Sequence, residues 1–133
     1  MDAVGASGVR FGAYGATVTG YAKWRARLAR ANDPRLIPIT HIDELLVSGL
    51  AQFWATDDAA MVTELKAWPG GAVTIEPIAA AGKKGDIVGP LGDAAVEWGK
   101  ANGATIVRVA GRDGWRRERP DFRHYQTILM KDI

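Results

Sequence analysis

The densest group of side chains able to do chemistry is a basic run near the C-terminus. Five arginines fall within twelve residues, interleaved with two aromatic side chains: Arg112, Arg116, Arg117, Arg119 and Arg123, with Trp115 and Phe122. Arginine grips phosphate through its planar guanidinium, and aromatic rings can stack on bases. Asp113, Glu118 and Asp121 lie in the same run. The run therefore predicts either a binding surface that uses Arg112, Trp115 and Arg117, or a solvated turn whose charges pair with each other.

Metal and hydrolase chemistry find little support in the sequence. The two histidines, His41 and His124, have no partner at a spacing typical of metal ligands, and the chain has no cysteine. The two serines, Ser7 and Ser48, stand alone. We therefore expect no metal site, no disulfide and no serine–histidine hydrolase.

The composition favours one globular domain. A chain of 133 residues with 47% hydrophobic residues can bury a core of its own. A formal net charge of +2 makes nucleic acid an unexpected partner, because such binding usually needs a clustered basic face. No run of about 18 apolar residues and no signal-peptide pattern is present, so we expect no membrane contact and a cytoplasmic location.

The N-terminal half predicts two helices behind a glycine-rich arm. Residues 1–20 are expected to form this arm, flexible or as a short strand, before a single domain over residues 21–133. A helix is predicted over Tyr21–Ala31, ended by Pro34. A second helix is predicted to begin with a capping box of Thr40 and Asp43. Four of its apolar side chains then share one face: Ile42, Leu45, Leu46 and Leu50.

Three strands follow in an antiparallel meander. A hairpin is predicted from Ala51–Thr56 and Ala59–Trp68, with its turn at Asp57 and Asp58. A third strand, Ala72–Ala80, comes after a Pro-Gly-Gly turn. In the second strand Met61, Thr63 and Leu65 should face one side of the sheet, and Val62, Glu64 and Lys66 the other.

The C-terminal half predicts a helix between two further strands. The helix should begin at Pro90 and end at Asn102-Gly103. Ala104–Ala110 is predicted as a central strand and Tyr125–Lys131 as the closing strand. Strand, helix and strand from Ala72 to Ala110 should make a right-handed parallel crossover. The predicted fold is therefore α/β (α+β), a mixed, mostly antiparallel sheet flanked by helices.

This order of elements and several local phrases resemble the Gcn5-related N-acetyltransferase (GNAT) superfamily, in particular its small phage-encoded members. The resemblance covers roughly Leu36 to Ile133. It is carried by Gln52-Phe53-Trp54, Val62-Thr63-Glu64, Glu97–Ala104, Gly111–Trp115, Pro120-Asp121-Phe122 and the last strand with Lys131. It implies an acyl-CoA N-acyltransferase-like fold, and a bacterial host cytoplasm if the chain is phage-encoded.

The resemblance also implies where acetyl-CoA would bind. In the superfamily the pantetheine and pyrophosphate lie against the strand and helix that flank the segment Ala81–Pro90. The cofactor contacts implied here are Ile78, Lys83, Lys84, Gly85, Val88, Gly89 and Leu91. The segment departs from the family loop, because Asp86 stands at the Gln/Arg position, Leu91 at the second small residue, and Pro90 removes an N–H donor. Lys83 and Lys84 can compensate as point charges.

The resemblance implies a general base on the strands. Acetyl transfer needs a group that deprotonates the amine, and the available carboxylates are Glu64 and Glu76. Arg117 stands where many members carry a tyrosine that protonates the thiolate, and arginine cannot do so near neutral pH.

Three functions remain open at the level of sequence. The first is an acetyl-CoA-dependent N-acetyltransferase with a degenerate CoA loop. The second is a non-catalytic GNAT-fold binding or assembly module. It would bind a protein partner or a second copy through the arginine-rich run and through Trp24 and Trp68, which we expect to be partly exposed. The least expected is a nucleic-acid-binding protein.

Overall fold

One sheet organises the chain in this computed structural model, which describes residues 2–4, 10–12, 14–110 and 115–133. Its strands lie in chain order: β1 Asp2–Val4, β2 Arg10–Gly12, β3 Ala51–Ala55, β4 Ala59–Ala67, β5 Val73–Gly82 and β6 Ile106–Val107. Neighbours from β1 to β5 are antiparallel, whereas β5 and β6 are parallel. The predicted mixed sheet, the meander and the parallel crossover are confirmed.

Helices cover both faces of this sheet. The first two are α1, Tyr14–Ala29, and α2, Ile39–Val47. The crossover is one helical run made of α3, Lys84–Asp86, a π-helical turn, Ile87–Leu91, and α4, Gly92–Ala101. A short helix α5, Trp115–Glu118, follows β6.

Each face of the sheet buries its own apolar cluster. On one face α1 and α2 contribute Tyr21, Trp24, Leu28, Ile42 and Leu46, which pack with Phe53 and Val62 of the sheet. On the other face Leu91 and Ala95 pack with Trp54, Met61 and Ile75. Met61 and Val62 therefore face opposite clusters, as the alternation predicted.

Helix α1 begins earlier than predicted, at Tyr14 rather than at Tyr21. The helix continues through Gly20, which lies against the sheet. A Cβ added there would stand 3.4 Å from Phe53 Cε2, an ordinary van der Waals contact. Gly20 therefore does not break the helix, although glycine is a weaker helix former than alanine.

The predicted capping box of α2 is wrong. The helix begins at Ile39, its N-cap is Pro38, and no side chain caps it. The Asp43 carboxylate instead accepts hydrogen bonds from Tyr21 Oη at 2.7 Å and from Arg25 Nη2 at 2.6 Å. Leu50 lies beyond the helix and is 63% exposed, so its predicted place on the buried face is also wrong.

The crossover helix does not begin at Pro90. It begins at Lys84, and Pro90 lies inside the π-helical turn. Proline cannot donate the hydrogen bond of a regular α-helix, and a widened turn accommodates that loss. The predicted end at Asn102 and Gly103 is confirmed, with Gly103 at φ 93°.

The two C-terminal strands differ from the prediction. β6 is limited to Ile106–Val107 and forms an edge of the described sheet rather than a central strand. Residues 123–133 form no helix or strand, and Tyr125 and Leu129 are 69% and 88% exposed. Alternating apolar residues make a strand only where a neighbouring edge supplies hydrogen bonds, and no such pairing is formed here.

The junction between β5 and the crossover helix depends on Gly82. Its φ is +96°, and a Cβ added there would stand 2.3 Å from the Asp58 carbonyl oxygen. The next residue, Lys83, donates its N–H to the same oxygen at 2.9 Å. This contact fixes the point at which the chain leaves the sheet and enters the helix.

Replacing Gly82 by alanine should destabilise the fold by about 2–4 kcal/mol, because the new Cβ meets backbone in a conformation that L-residues avoid. The free energy of unfolding in urea measures the loss. Gly70→Ala is the matched control, since a Cβ there meets nothing within 4 Å. Equal stability of the two variants would contradict this role of Gly82.

The Asp43 contacts should make stability depend on pH. Above all the Arg25 hydrogen bond, and also that of Tyr21, holds the pKa of Asp43 below its ordinary value in the folded protein. The stabilisation is therefore complete above the unfolded aspartate pKa of about 3.9 and is lost as pH falls through the lower folded value. Asp43→Asn should lower stability at pH 7 and flatten the acid-induced loss.

Urea unfolding at pH 7 and at several values below pH 4 measures both effects. Asp57→Asn, at an exposed position in the β3–β4 turn, is the charge-matched control. An acid-induced loss of the same size in Asp43→Asn and in the unsubstituted chain would contradict the prediction.

Candidate functional site

The sheet has a fork between β5 and β6. The two strands pair only at Thr74 with Ile106 and at Ile75 with Val107, and the Arg108 N–H donates to the Ile75 carbonyl at 3.1 Å. Pro77 comes next on the same face of β5, and it has no N–H with which to continue the ladder. Beyond Ile75, no further pairing between β5 and β6 occurs among the described residues.

An open groove occupies this fork on the face that carries α4. Its apolar lining includes Pro77, Val88, Val107 and Val109, and Arg119 and Phe122 of the C-terminal segment close one side. The groove is small and mostly apolar, and the parted strands leave backbone polar groups beside it without strand partners in the described part of the chain.

A bulge in β5 accompanies the fork. Val62 pairs with Ala79 and Thr63 with Pro77, so Ile78 is the extra residue. The Ile78 carbonyl accepts a hydrogen bond from Asn32 Nδ2 at 2.7 Å, and its side chain packs against the α1–α2 cluster. Ile78, an expected cofactor contact, therefore lies beside the fork but directs its side chain away from the groove.

The start of the crossover helix, one turn before Val88 of the groove lining, is basic. Lys83, Lys84 and Gly85 are exposed. The N–H groups of Lys84 and Gly85 precede the first intrahelical hydrogen bonds, which run from Asp86 and Ile87 to the Lys83 carbonyl. Two ammonium groups and the positive end of a helix thus lie together.

Asp86, the acidic residue next to these lysines, bonds to a neighbouring turn. Asp86 accepts a hydrogen bond from Thr56 Oγ1 at 2.7 Å, which ties it to the β3–β4 turn. Lys84 Nζ lies 3.4 Å from Glu118 Oε1 on α5, so a carboxylate of the arginine-rich run already contacts one of the two lysines.

The other expected cofactor residues lie inside the helical run rather than in a loop. Val88 and Leu91 are buried, and Gly89 stands between them in the π-helical turn. The Val88 carbonyl nevertheless reaches the surface of the groove, where it accepts a hydrogen bond from Arg119 Nη1 at 3.0 Å. Leu91, fully buried, belongs to the core under α4.

The two candidate bases lie opposite each other on β4 and β5. Glu64 pairs with Glu76, and their side chains are 19% and 15% exposed. Lys66 Nζ stands 3.5 Å from Glu64 Oε1 and 4.0 Å from Glu76 Oε1, which offsets the repulsion between the carboxylates. Because neighbouring strand residues point to opposite faces, Glu76 lies on the α1–α2 face at the position where Pro77 lines the groove on the other.

Three side chains hold Glu76, and of these the sequence singled out only Trp68, as a partner contact rather than for this role. Thr74 Oγ1 donates to Glu76 Oε2 at 2.7 Å, and Trp68 Nε1 donates to Thr74 Oγ1 at 2.8 Å. Arg108 Nη1 lies 3.5 Å from Glu76 Oε2, and the Arg108 guanidinium stacks 4.6 Å from the Trp68 ring. The i, i+2 spacing of Thr74 and Glu76 could have placed these two side chains on the same face of a strand. The contact with Arg108 could not have been predicted, because it depends on the register between β5 and β6.

The arginine-rich run is only partly described. Arg112 lies outside the described residues, Trp115 opens α5, and Arg117 is exposed. Arg119 contacts Asp121 at 3.3 Å and Asp93 of α4 at 2.9 Å. These carboxylates, Asp121 above all, raise the pKa of Arg119, and Arg119 in turn lowers that of Asp121. The run therefore pairs partly with itself and partly with the crossover helix.

The described residues contain neither a metal-holding group nor a helix that could span a membrane. No group of three or more histidine, aspartate or glutamate side chains in that part of the chain is arranged to hold a metal ion. None of the helices that the structure describes is long and apolar enough to span a bilayer.

By sequence, no protein-family model and no curated protein matches the chain. By structure, several solved proteins have a similar fold. A predicted acetyltransferase from Clostridium acetobutylicum, solved with acetyl-CoA, matches with a TM-score of 0.65 and 11% identity over 93% of this chain and 94% of the other. A ribosomal-protein-alanine N-acetyltransferase from Brucella melitensis matches with a TM-score of 0.62 and 11% identity, over 93% of this chain and 99% of the other. Glucosamine-6-phosphate N-acetyltransferase from Arabidopsis thaliana matches with a TM-score of 0.55 and 10% identity, over 93% of this chain and 96% of the other.

These matches span nearly the whole of each chain, so they concern the complete arrangement of the sheet and its helices. The narrower likeness to phage-encoded members stays a prediction. The chain has the fold of the GNAT acetyltransferase superfamily.

Proposed function

We propose that the protein is an N-acetyltransferase that uses acetyl-CoA. The observation that carries this proposal is the fork between β5 and β6, which has a basic helix start at one end and the carboxylates Glu64 and Glu76 on the opposite face of the sheet. An apolar groove near a cationic helix start, with proton acceptors on the other face of the sheet, fits a thioester with a phosphorylated tail and an amine that reacts with it from that face.

In this proposal each part of the site has one task. The groove between Pro77 and Val109 holds the pantetheine arm, and Lys83 and Lys84 hold the pyrophosphate together with the first N–H groups of the helix. The amine approaches from the face that carries Glu76. The fold supports the cofactor class, because a structural neighbour was solved with acetyl-CoA.

The reaction needs one proton acceptor and a leaving thiolate. A carboxylate, Glu64 or Glu76, takes a proton from the amine as its nitrogen attacks the thioester carbonyl carbon. The C–N bond forms, the C–S bond breaks, and CoA leaves as a thiolate that solvent protonates. Arg117 is exposed in α5 and is no substitute for the family's tyrosine acid, so this protonation is assigned to water.

Acetyl-CoA titrated into the protein should give saturable heat in calorimetry. The double variant Lys83→Ala/Lys84→Ala should bind about tenfold more weakly, because charge-assisted contacts to phosphate are lost. Glu118→Gln should bind about twofold to fivefold more tightly, because an exposed ion pair no longer competes for Lys84. The matched control is Lys23→Ala/Lys131→Ala, which removes the same charge at two exposed positions away from the groove.

The absence of heat at millimolar acetyl-CoA would reject the proposal. It would favour the second candidate, a GNAT-fold binding module without catalysis. The observation behind that candidate is the closure of the groove by Arg119 and Phe122, combined with the Lys84–Glu118 pair at the phosphate end. A loss of affinity in the control double variant equal to that in the lysine pair would show a non-specific charge effect instead.

A further inference from the structure

A buried hydroxyl at the fork has a fixed direction. Thr74 is 2% exposed, and its Oγ1 lies between the indole N–H of Trp68 and the carboxylate of Glu76. An indole nitrogen can only donate, so Oγ1 must accept from Trp68. The single hydroxyl proton of Thr74 is then directed at Glu76 Oε2. Threonine at this position is therefore a directed donor and not a filler of the core.

The indole that sets this direction is itself held in place. Trp68 ends the β4 arm at a tight turn, in which its N–H donates to the Ala72 carbonyl at 2.9 Å and its carbonyl accepts from the Gly71 N–H at 2.9 Å. Gly71 provides the positive φ, 94°, that this turn needs. The Arg108 guanidinium covers the ring, so Trp68 is fixed from two sides.

The result is an asymmetric hold on one carboxylate. Both Thr74 and Arg108 approach Glu76 through Oε2, while Oε1 has Lys66 at 4.0 Å as its one ionic partner in the part of the chain that the structure describes. Glu64, by contrast, has Lys66 at 3.5 Å as its one ionic contact among the described residues. Glu76 thus has one anchored oxygen and one available oxygen, whereas Glu64 has no anchor of this kind.

We propose that Glu76 is the proton acceptor of the transfer, and that Thr74, Trp68 and Arg108 are its positioning residues. This inference rests on the proposed acetyl transfer. Arg108 directly follows β6, and it contacts Glu76 of β5 beside the last paired positions of the two strands, where the fork begins. The anchor therefore holds the carboxylate next to the start of the fork, on the face from which the amine is proposed to approach.

The proton path balances without a further reactant. Glu76 Oε1 takes one proton from the attacking amine while Oε2 keeps its bond to the Thr74 hydroxyl. The amide nitrogen retains the remaining proton of a primary amine, and the thiolate of CoA is protonated by solvent. Glu76 then returns its proton to water, which restores the site.

Release of CoA gives a clean measurement, because the protein has no cysteine and a thiol-reactive dye reports CoA alone. The assay combines acetyl-CoA with a panel of amines: a peptide with a free α-amine, a lysine peptide and a polyamine. Glu76→Gln should lower kcat about 100-fold or more, the range of general base catalysis, and Glu64→Gln should lower it less. A loss in Glu64→Gln as large as that in Glu76→Gln would overturn the assignment.

Thr74 is tested by two replacements that separate shape from hydrogen bonding. Thr74→Val keeps the volume and removes the hydroxyl, and should lower kcat about tenfold with an unchanged KM for acetyl-CoA. Thr74→Ser keeps the hydroxyl and should stay within about threefold of the unsubstituted protein. Glu97→Gln, exposed on α4, is the control outside the site. Equal kcat values for the Val and Ser variants would overturn the positioning role.

Failure of this inference differs from failure of the proposed function. A protein that binds acetyl-CoA and releases CoA with an amine of the panel, at the same rate in Glu76→Gln as in the unsubstituted chain, overturns the inference alone. A protein that does not bind acetyl-CoA overturns the proposed function and the inference with it.

Discussion

The structure depends on the parting of two parallel strands. β5 and β6 share only two paired positions, and the strand that must supply the next N–H has proline there, Pro77. One residue further on, the bulge at Ile78 alters the course of β5 against β4. A missing donor and an extra residue at adjacent positions prevent the ladder from closing. The groove, its basic end and the anchored carboxylate are all arranged around this parting.

The crossover helix can cover the fork because it approaches β5 very closely. Gly99 lies so near Ile75 that an added Cβ would stand 3.1 to 3.3 Å from three of its side-chain atoms. Small residues at Ala95 and Gly99 bring α4 down onto the strand, and Leu91 then fills the space nearer the fork. The same packing aims the start of the helical run, Lys84 and Gly85, at the outer end of the groove. Core packing therefore sets the direction of the charged end.

Much of this architecture could be predicted from the sequence, because local patterns specify it. Alternation in Ala59–Ala67 and the Pro-Gly-Gly turn predicted the meander, and the end signal at Asn102-Gly103 predicted the helix before β6. The predictions that failed concerned residues whose contacts lie far away in the sequence. Asp43 matched a cap by spacing, but Arg25 and Tyr21 take its oxygens. Tyr125–Lys131 alternates like a strand and lacks a paired edge.

In the candidate site, too, local patterns identified the residues, whereas long-range contacts determine how they differ. Glu64 and Glu76 could be named from sequence, but their difference could not, because it depends on Thr74, Trp68 and Arg108 meeting across three segments. At the proposed phosphate end, the resemblance implies glycines that bind through backbone N–H groups, whereas this chain offers mainly two ammonium groups, one of them paired with Glu118. Point charges in water are screened by salt, and backbone donors at a helix start are far less so. In the proposed function, the departure from the family loop therefore weakens the fixed part of the phosphate contacts and leaves specificity to the groove and to the anchored carboxylate.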